Sequence, residues 1–251
     1  MKSPAARHMM RVSASETAQR AAKPLRNATA YEQMLVKLAA DNRTLKQIRS
    51  NERKADKKRE LLPFYLPWVA GVLANGKGAQ DDIVMTVMLW RLDADDIAGA
   101  LEIARYAMTY GLTMPTGRRP TPYLLAEEVA LAAQRLLMAK QPVELENLLD
   151  TLALTERADM PDIVRAKLHK ITGYVLRDAK QLSEALAHLQ RAIQLESTIG
   201  VRKDIEQLER QLRPKPEPAA KTKTTQPRTR KVAAKPAARR GRPPKAAKAA
   251  G

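Results

Sequence analysis

The stretch from Gly76 to Pro115, GKGAQDDIVMTVMLWRLDADDIAGALEIARYAMTYGLTMP, does most to limit what this chain can fold into. Ile83, Val84, Val87, Met88 and Trp90 recur with helical spacing behind Asp81 and Asp82, an acidic pair placed where a helix dipole favours negative charge. A turn around Asp93, Asp95 and Asp96 follows. Ile97, Leu101, Ala104, Tyr106 and Met108 then continue the helical period up to Gly111, a residue type suited to the left-handed helix end. The spacing predicts a helical hairpin.

Charge is segregated along the chain. Residues 1–60 hold 15 Lys and Arg against 6 Asp and Glu, residues 61–213 hold 18 against 20, and residues 214–251 hold 12 against 1. The net +18 thus resides at the two ends of a near-neutral body. Solubility alone does not require such segregation, whereas a polyanion partner explains it, because each Lys or Arg laid on a phosphate releases condensed counterions. Three regions follow: a basic helical N-terminal region at 1–60, a helical core and assembly region at 61–213, and a basic tail at 214–251. The tail is Pro, Ala, Lys and Arg with almost nothing to bury, so disorder in the free protein is expected.

Apolar residues make up 44% of the chain, with two Trp, six Tyr and one Phe, so the core is one of Ala, Leu, Ile, Val and Met. Cysteine is absent, which excludes disulfides and thiolate metal sites. No apolar run approaches the roughly 20 residues of a membrane span, and no signal-peptide core is present. The expectation is a soluble intracellular protein of the all-α class, with helical hairpins packed into one body and no membrane partner.

Ser3-Pro4 reads as a helix start, with a helix toward Ala22 and an interruption at Pro24. From Ala28 to Leu62 there is neither Gly nor Pro, which predicts one long helix or a tight helical pair. Its apolar residues fade after Ile48, and Arg49, Arg53, Lys54, Lys57, Lys58 and Arg59 then form a basic section read as lacking acids to pair with at i, i+4. These six are candidate DNA contacts, the alternative being a solvated helix face. Pro63 and Pro67 predict a bend leading into a short helix that caps the core, where Phe64, Tyr65 and Trp68 either pack or stack on bases. Thr121-Pro122 has the form of a capping hydroxyl followed by a first-turn proline, and further helices are expected to Lys140, from Pro142 and from Asp159 to Pro161.

Residues 95–108 and 180–193 share a pattern of apolar, x, x, Ala-Leu, with a second Ala seven residues after the first. This predicts two related hairpins of the tetratricopeptide kind, 85 residues apart, and no solenoid, since adjacent repeats of that kind are needed in threes. Ile199, Ile205, Leu208 and Leu212 form a short amphipathic helix that pairs with another chain or folds back on its own core.

Candidates for chemistry are few. Gly76-Lys77-Gly78 lacks the spacing and the Ser or Thr of a phosphate-binding loop, so ATP hydrolysis is not expected of this chain. Asp81, Asp82, Asp93, Asp95 and Asp96 are the only weak catalytic candidates, for Mg²⁺-dependent phosphodiester cleavage. A ten-residue helix separates their two groups by about 15 Å, and helix-start and turn roles account for both without a metal. His8, His169 and His188 are scattered and read as ordinary face residues. In the tail, Arg239, Arg240, Arg242 and Lys245 surround Gly241 and Pro243-Pro244 in a pattern resembling an AT-hook; either a minor-groove hook or a nonspecific basic arm fits.

The words GKGAQDD, TVMLWRLD, DIAGALEIARYA and YGLTMP, with SPAARHMMRVSA and YEQMLVKLAAD before them, occur in an order that resembles the small terminase subunit of P-two-like tailed phages. The resemblance covers roughly the first 213 residues and continues in character through the tail. It implies genome packaging in the host cytoplasm: the small subunit recognises the cohesive-end site on concatemeric double-stranded DNA and works with a large ATPase subunit. It also implies a homo-oligomer, small terminases generally forming rings. The family has been described as the terminase endonuclease subunit. The residues leave open whether this chain cuts DNA itself; no cofactor is expected unless it does, in which case Mg²⁺ is.

Overall fold

A computed structural model of the chain describes residues 29–115, 117 and 119–213. The expected helix from Ser3, His8, Arg118 and the tail with Arg239, Arg240, Arg242 and Lys245 lie outside the described residues. The chain divides into two units, Met1–Arg213 and Pro214–Gly251, and every described residue belongs to the first.

Among the described residues there are nine α-helices and no strand: α1 Ala30–Gln47, α2 Asn51–Asn75, α3 Asp82–Asp93, α4 Ile97–Tyr110, α5 Thr121–Met138, α6 Leu145–Thr155, α7 Asp162–Asp178, α8 Leu182–Leu195 and α9 Arg202–Leu212. The all-α expectation holds. Thr29 and Glu32 start α1 with a reciprocal capping box, each side chain accepting from the other's backbone N–H. The run without Gly or Pro proves to be a helical pair, broken at Ile48 to Ser50, where the Ser50 hydroxyl accepts from Arg53 N at 3.3 Å and caps α2.

The bend expected at Pro63 and Pro67 does not occur. Both prolines lie inside the 25-residue helix α2 and both are exposed, while Leu62, Tyr65 and Val69 on the opposite face are buried. Each proline removes one helical hydrogen bond, but packing of the buried face holds the helix through them. Tyr65 is fully buried, its hydroxyl donates to Asp41 at 2.5 Å, and its ring meets Trp90 edge-on at 5.6 Å. Trp68 lies 6.0 Å from the Tyr31 ring. Tyr65 and Trp68 are therefore core aromatics, not platforms for bases; Phe64 alone of the three is exposed.

The hairpin of α3 and α4 is present as expected. Helix α3 is enclosed on nearly all sides, with Ile83, Val84, Met85, Val87, Met88, Trp90 and Leu92 buried. Each such side chain contributes about 1.5–3 kcal/mol of burial free energy. Asp96 caps α4 by accepting from Gly99 N at 2.9 Å, and Gly111 closes it at φ 69° with its N–H on Ala107 O. Thr121 does not cap α5 as its sequence suggested. It is the first helical residue, and its hydroxyl donates to Leu112 O at 2.7 Å, pinning the preceding loop to the helix start.

The expectation of two separate hairpins also needs correction. A third hairpin, α5–α6, stands between α3–α4 and α7–α8; α3 packs on α5, α5 on α7, and α4 on α6. Three adjacent hairpins meet the minimum for a repeat stack. Asp95, Lys140 and Lys180 occupy the left-handed conformation at the three inter-helix turns, with φ of 66°, 56° and 65°. The middle repeat was hidden because its two small positions hold other residues. Ala100 and Ala107 of α4, and Ala185 and Ala192 of α8, correspond by spacing to Leu148 and Thr155 of α6, and all six are buried. Thr155 is tolerated there because its hydroxyl donates to Thr151 O at 2.7 Å. Helix α9 folds back on α8 through buried Leu208, behind buried Val201.

Candidate nucleic-acid interface

The basic section predicted to touch DNA splits into two halves. Arg49 and Arg53 are exposed and Lys54 is half-buried at the α1–α2 junction, and none of the three has an ion-pair partner among the described residues. Arg49 and Arg53 line a depression with Thr44, Gln47, Ile48 and Ser50. Exposed Arg43 and Lys46, near the end of α1, extend the cationic surface.

The other half is compensated. Lys57 pairs with Glu60 at 2.7 Å and Arg59 with Asp56 at 2.7 Å, so the acids judged missing from the sequence are present at i, i+3. Lys58 forms an ion pair with Asp93, with its side chain only 14% exposed. Arg59 reaches Asp95 at 3.2 Å and Ala94 O at 3.3 Å. Arg135 of α5 approaches the same Asp95 at 2.9 Å and donates to Leu92 O at 2.8 Å. These groups border a cleft of about 620 Å³ between the start of α2, the α3–α4 turn and the end of α5. Lys58 and Arg59 clamp the first half of α2 to the body.

The five aspartates have structural partners. Asp81, buried, accepts from Ile83 N and Val84 N, both at 2.9 Å, and from the Trp68 indole at 2.9 Å. Asp82 accepts from Gln80 at 3.0 Å. Asp93 and Asp95 hold the cations just described, and Asp96 both caps α4 and pairs with Arg91 at 2.8 Å. Glu128, not singled out by sequence reasoning, has its carboxyl pKa raised by burial first and then by Asp93 and Glu127. Among the described residues no group of three or more His, Asp and Glu converges as metal ligands would.

Gly76-Lys77-Gly78 is a packing loop. Gly78 sits at φ +79° with its N–H on the Tyr106 hydroxyl at 2.9 Å, and a Cβ there would fall 2.2 Å from the Tyr110 ring. The histidines, read as scattered, include a pair: His169 of α7 and His188 of α8 bring their Nδ1 atoms to 3.1 Å. Burial first, then His188, Arg191 and Arg165, push the His169 pKa down to about 4, and burial lowers that of His188. Their separation of 19 residues spans a helix turn that spacing alone did not resolve.

No helix among the described residues is long and apolar enough to cross a membrane. The chain is 67% identical to the terminase endonuclease subunit of Escherichia phage P2 over 98% of its own length and all of that protein. It is 26% identical to a probable terminase endonuclease subunit of Haemophilus phage HP1 (strain HP1c1), over 70% of this chain and 68% of the relative. No solved structure matches it. The phage small terminase subunit profile matches residues 35–163, from α1 into α7, and with a relative this similar along nearly the whole chain it follows that this protein belongs to the phage small terminase subunit family.

Proposed function

We propose that this terminase small subunit, whose role is in phage genome packaging in the host cell, binds the cohesive-end site on concatemeric DNA and brings the large ATPase subunit to it. DNA and the large terminase are the partners its family implies. The observation that carries the DNA contact is the asymmetry within one basic section. Arg49, Arg53 and Lys54 at the α1–α2 tip lack acidic partners among the described residues, while Lys57, Lys58 and Arg59 have them. Arg49 and Arg53, exposed and uncompensated, are free to displace counterions from phosphate, with half-buried Lys54 beside them at the edge of the cleft. The tail, with Arg239, Arg240, Arg242 and Lys245, adds a second contact, by a minor-groove hook or a nonspecific arm. The body self-associates through its near-neutral core, and the protein acts in the host cytoplasm.

A second reading is favoured by the relatives' names, in which "endonuclease subunit" appears: the chain itself cuts the cohesive-end site, using Mg²⁺. The helix-capping and ion-pairing roles of Asp81, Asp93, Asp95 and Asp96 support the non-catalytic reading. Purified protein is incubated with cohesive-end DNA and Mg²⁺, with and without the large subunit, scoring binding and cutting separately. Binding alone, with cutting only when the large subunit is added, is expected. Specific cutting by the chain by itself establishes the endonuclease reading.

A further inference from the structure

Helices α6, α7 and α8 border a pocket of about 700 Å³ to which the basic section at 49–59 contributes nothing. Its charged and titratable side chains are Arg165 and His169 of α7, His188 and Arg191 of α8, and Glu156 just past the end of α6. Leu149 and Leu152 of α6 supply apolar wall. Neither arginine has an ion-pair partner among the described residues. Arg165 donates to Ala158 O at 2.9 Å and Thr155 O at 3.4 Å, and Arg191 to the Gln194 side chain at 3.3 Å, so each guanidinium keeps N–H donors to spare.

Two arginines against one exposed glutamate leave the pocket positive. The field reaches His169, on which Arg191 and Arg165 both act and no acid opposes them, while Glu184, one turn before His188, acts on that second ring. A cation, a metal ion included, is repelled here; an anion is attracted, and apolar walls focus the field on it. The histidines add a proton reserve. With both rings neutral, one donates through Nδ1 to the other at 3.1 Å, which leaves one Nε2–H and one bare Nε2. One added proton keeps that bond and turns both Nε2 atoms into donors. Two guanidiniums and two imidazoles offer more donors than the two oxygens of a carboxylate can use, and they match the oxygens of a phosphate. We infer that the pocket between α6, α7 and α8 binds a phosphate group through Arg165 and Arg191, with the His169–His188 pair as the proton-accepting side.

The site shares no residue with the α1–α2 tip, so its loss leaves the DNA contact proposed there untouched. The phosphate belongs either to a DNA backbone or to a free phosphate-bearing molecule, and the recognising chemistry is the same. An anion beside the histidines raises their pKa values, which burial holds down in the free chain. Binding therefore takes up a proton, and affinity rises as pH falls from about 7.5 to 5.5.

The test is calorimetric titration of the full chain with inorganic pyrophosphate, beside the variants Arg191→Glu and Arg157→Glu. Both arginines are exposed, so the two variants change the net charge equally and are expected to keep the wild-type melting temperature, but only Arg191 lines the pocket. The wild type is expected to bind, Arg191→Glu to bind about tenfold or more weakly, and Arg157→Glu to stay within about twofold of the wild type. A wild type that does not bind, or equal losses in the two variants, overturns the site. Sulfate, whose charge is constant across this range, supplies the pH arm. Its affinity should rise toward pH 5.5 in the wild type, and an equal rise in His169→Gln with His188→Gln overturns the role of the histidines. Titration of a duplex against salt then separates the sources. A slope flatter by about 0.9 in Arg191→Glu than in Arg157→Glu assigns the phosphate to the DNA backbone, and equal slopes, with pyrophosphate binding lost only in Arg191→Glu, assign it to a free phosphate-bearing molecule.

Discussion

The Trp68 indole donates to the Asp81 carboxylate at 2.9 Å, joining the apolar half of α2 to the cap of α3. The same carboxylate accepts from Ile83 N and Val84 N, so one buried side chain satisfies three donors. Asp81→Ala removes all three bonds at once and should cost about 2–3 kcal/mol, from the lost cap and a stranded indole N–H. Asp82→Ala, which loses a helix-start charge, should cost about 0.3–1 kcal/mol. Chemical denaturation of the two single variants measures the difference, and equal losses would show that Asp81 has no special structural role.

Within the basic section, Arg49, Arg53 and Lys54 should behave differently from Lys58. Replacing the first three by Ala should flatten the slope of log affinity against log salt by about 2 to 3, at about 0.9 per phosphate contact, with little change in melting temperature. Lys58→Met instead leaves Asp93 without its partner in a partly buried site and should cost about 1–2 kcal/mol of stability. Titrations at four salt concentrations, paired with urea melts, separate the two classes.

Two glycines inside helices should respond oppositely to one methyl group. At Gly173 of α7 a Cβ would lie 2.6 Å from Leu189 Cδ2 and 3.2 Å from Ala185 O, where α7 and α8 pack closely. Gly173→Ala should therefore destabilise by about 1–3 kcal/mol. Gly71→Ala meets open space and should stabilise the helix by up to about 1 kcal/mol. Melting temperatures that move in the same direction for both would contradict the packing described at Gly173.

The His169–His188 pair predicts a pH window. In the folded chain the His169 pKa is pushed down to about 4, below its ordinary value near 6.5 in the unfolded chain. Between those values the unfolded state binds more protons, so stability rises with pH across the window and falls as pH drops from about 6.5 toward 4. Replacing both histidines by Gln should flatten that part of the stability curve while leaving the region above pH 7 unchanged in slope. Melting temperature followed from pH 7.5 to 4.5 in both proteins gives the answer, and identical curves would remove the pair from the account.

For the tail, Arg240→Lys with Arg242→Lys keeps the charge and loses the guanidinium's weaker hydration, which favours entry into a narrow groove. A hook should lose its preference for A·T-rich duplex and keep most of its nonspecific affinity. A nonspecific arm should show no change in competition between A·T-rich and G·C-rich DNA at one fixed salt concentration.

Local periodicity and chain punctuation were enough to determine the α3–α4 hairpin, because amphipathic spacing from Ile83 to Met108 and the glycine at 111 act within a few residues of themselves. Charge segregation was likewise written in the order of residues. The continuity of α2 through Pro63 and Pro67 was not, since a proline's effect depends on whether its face is exposed, and that is set by Leu62, Tyr65 and Val69 packing on other helices. The middle hairpin escaped for a related reason. Leu148 and Thr155 fill positions that alanine holds in its neighbours, and only the stack shows that they share a register. The site was the least legible part. In sequence Lys54 and Lys58 are equivalent cations one helical turn apart, yet Asp93, 35 residues beyond Lys58, neutralises only the latter. An ion pair between distant residues depends on distance in space, so only the tertiary structure decided that Lys58 is paired and Lys54 is not, whereas the i, i+3 pairs of Lys57 and Arg59 are local.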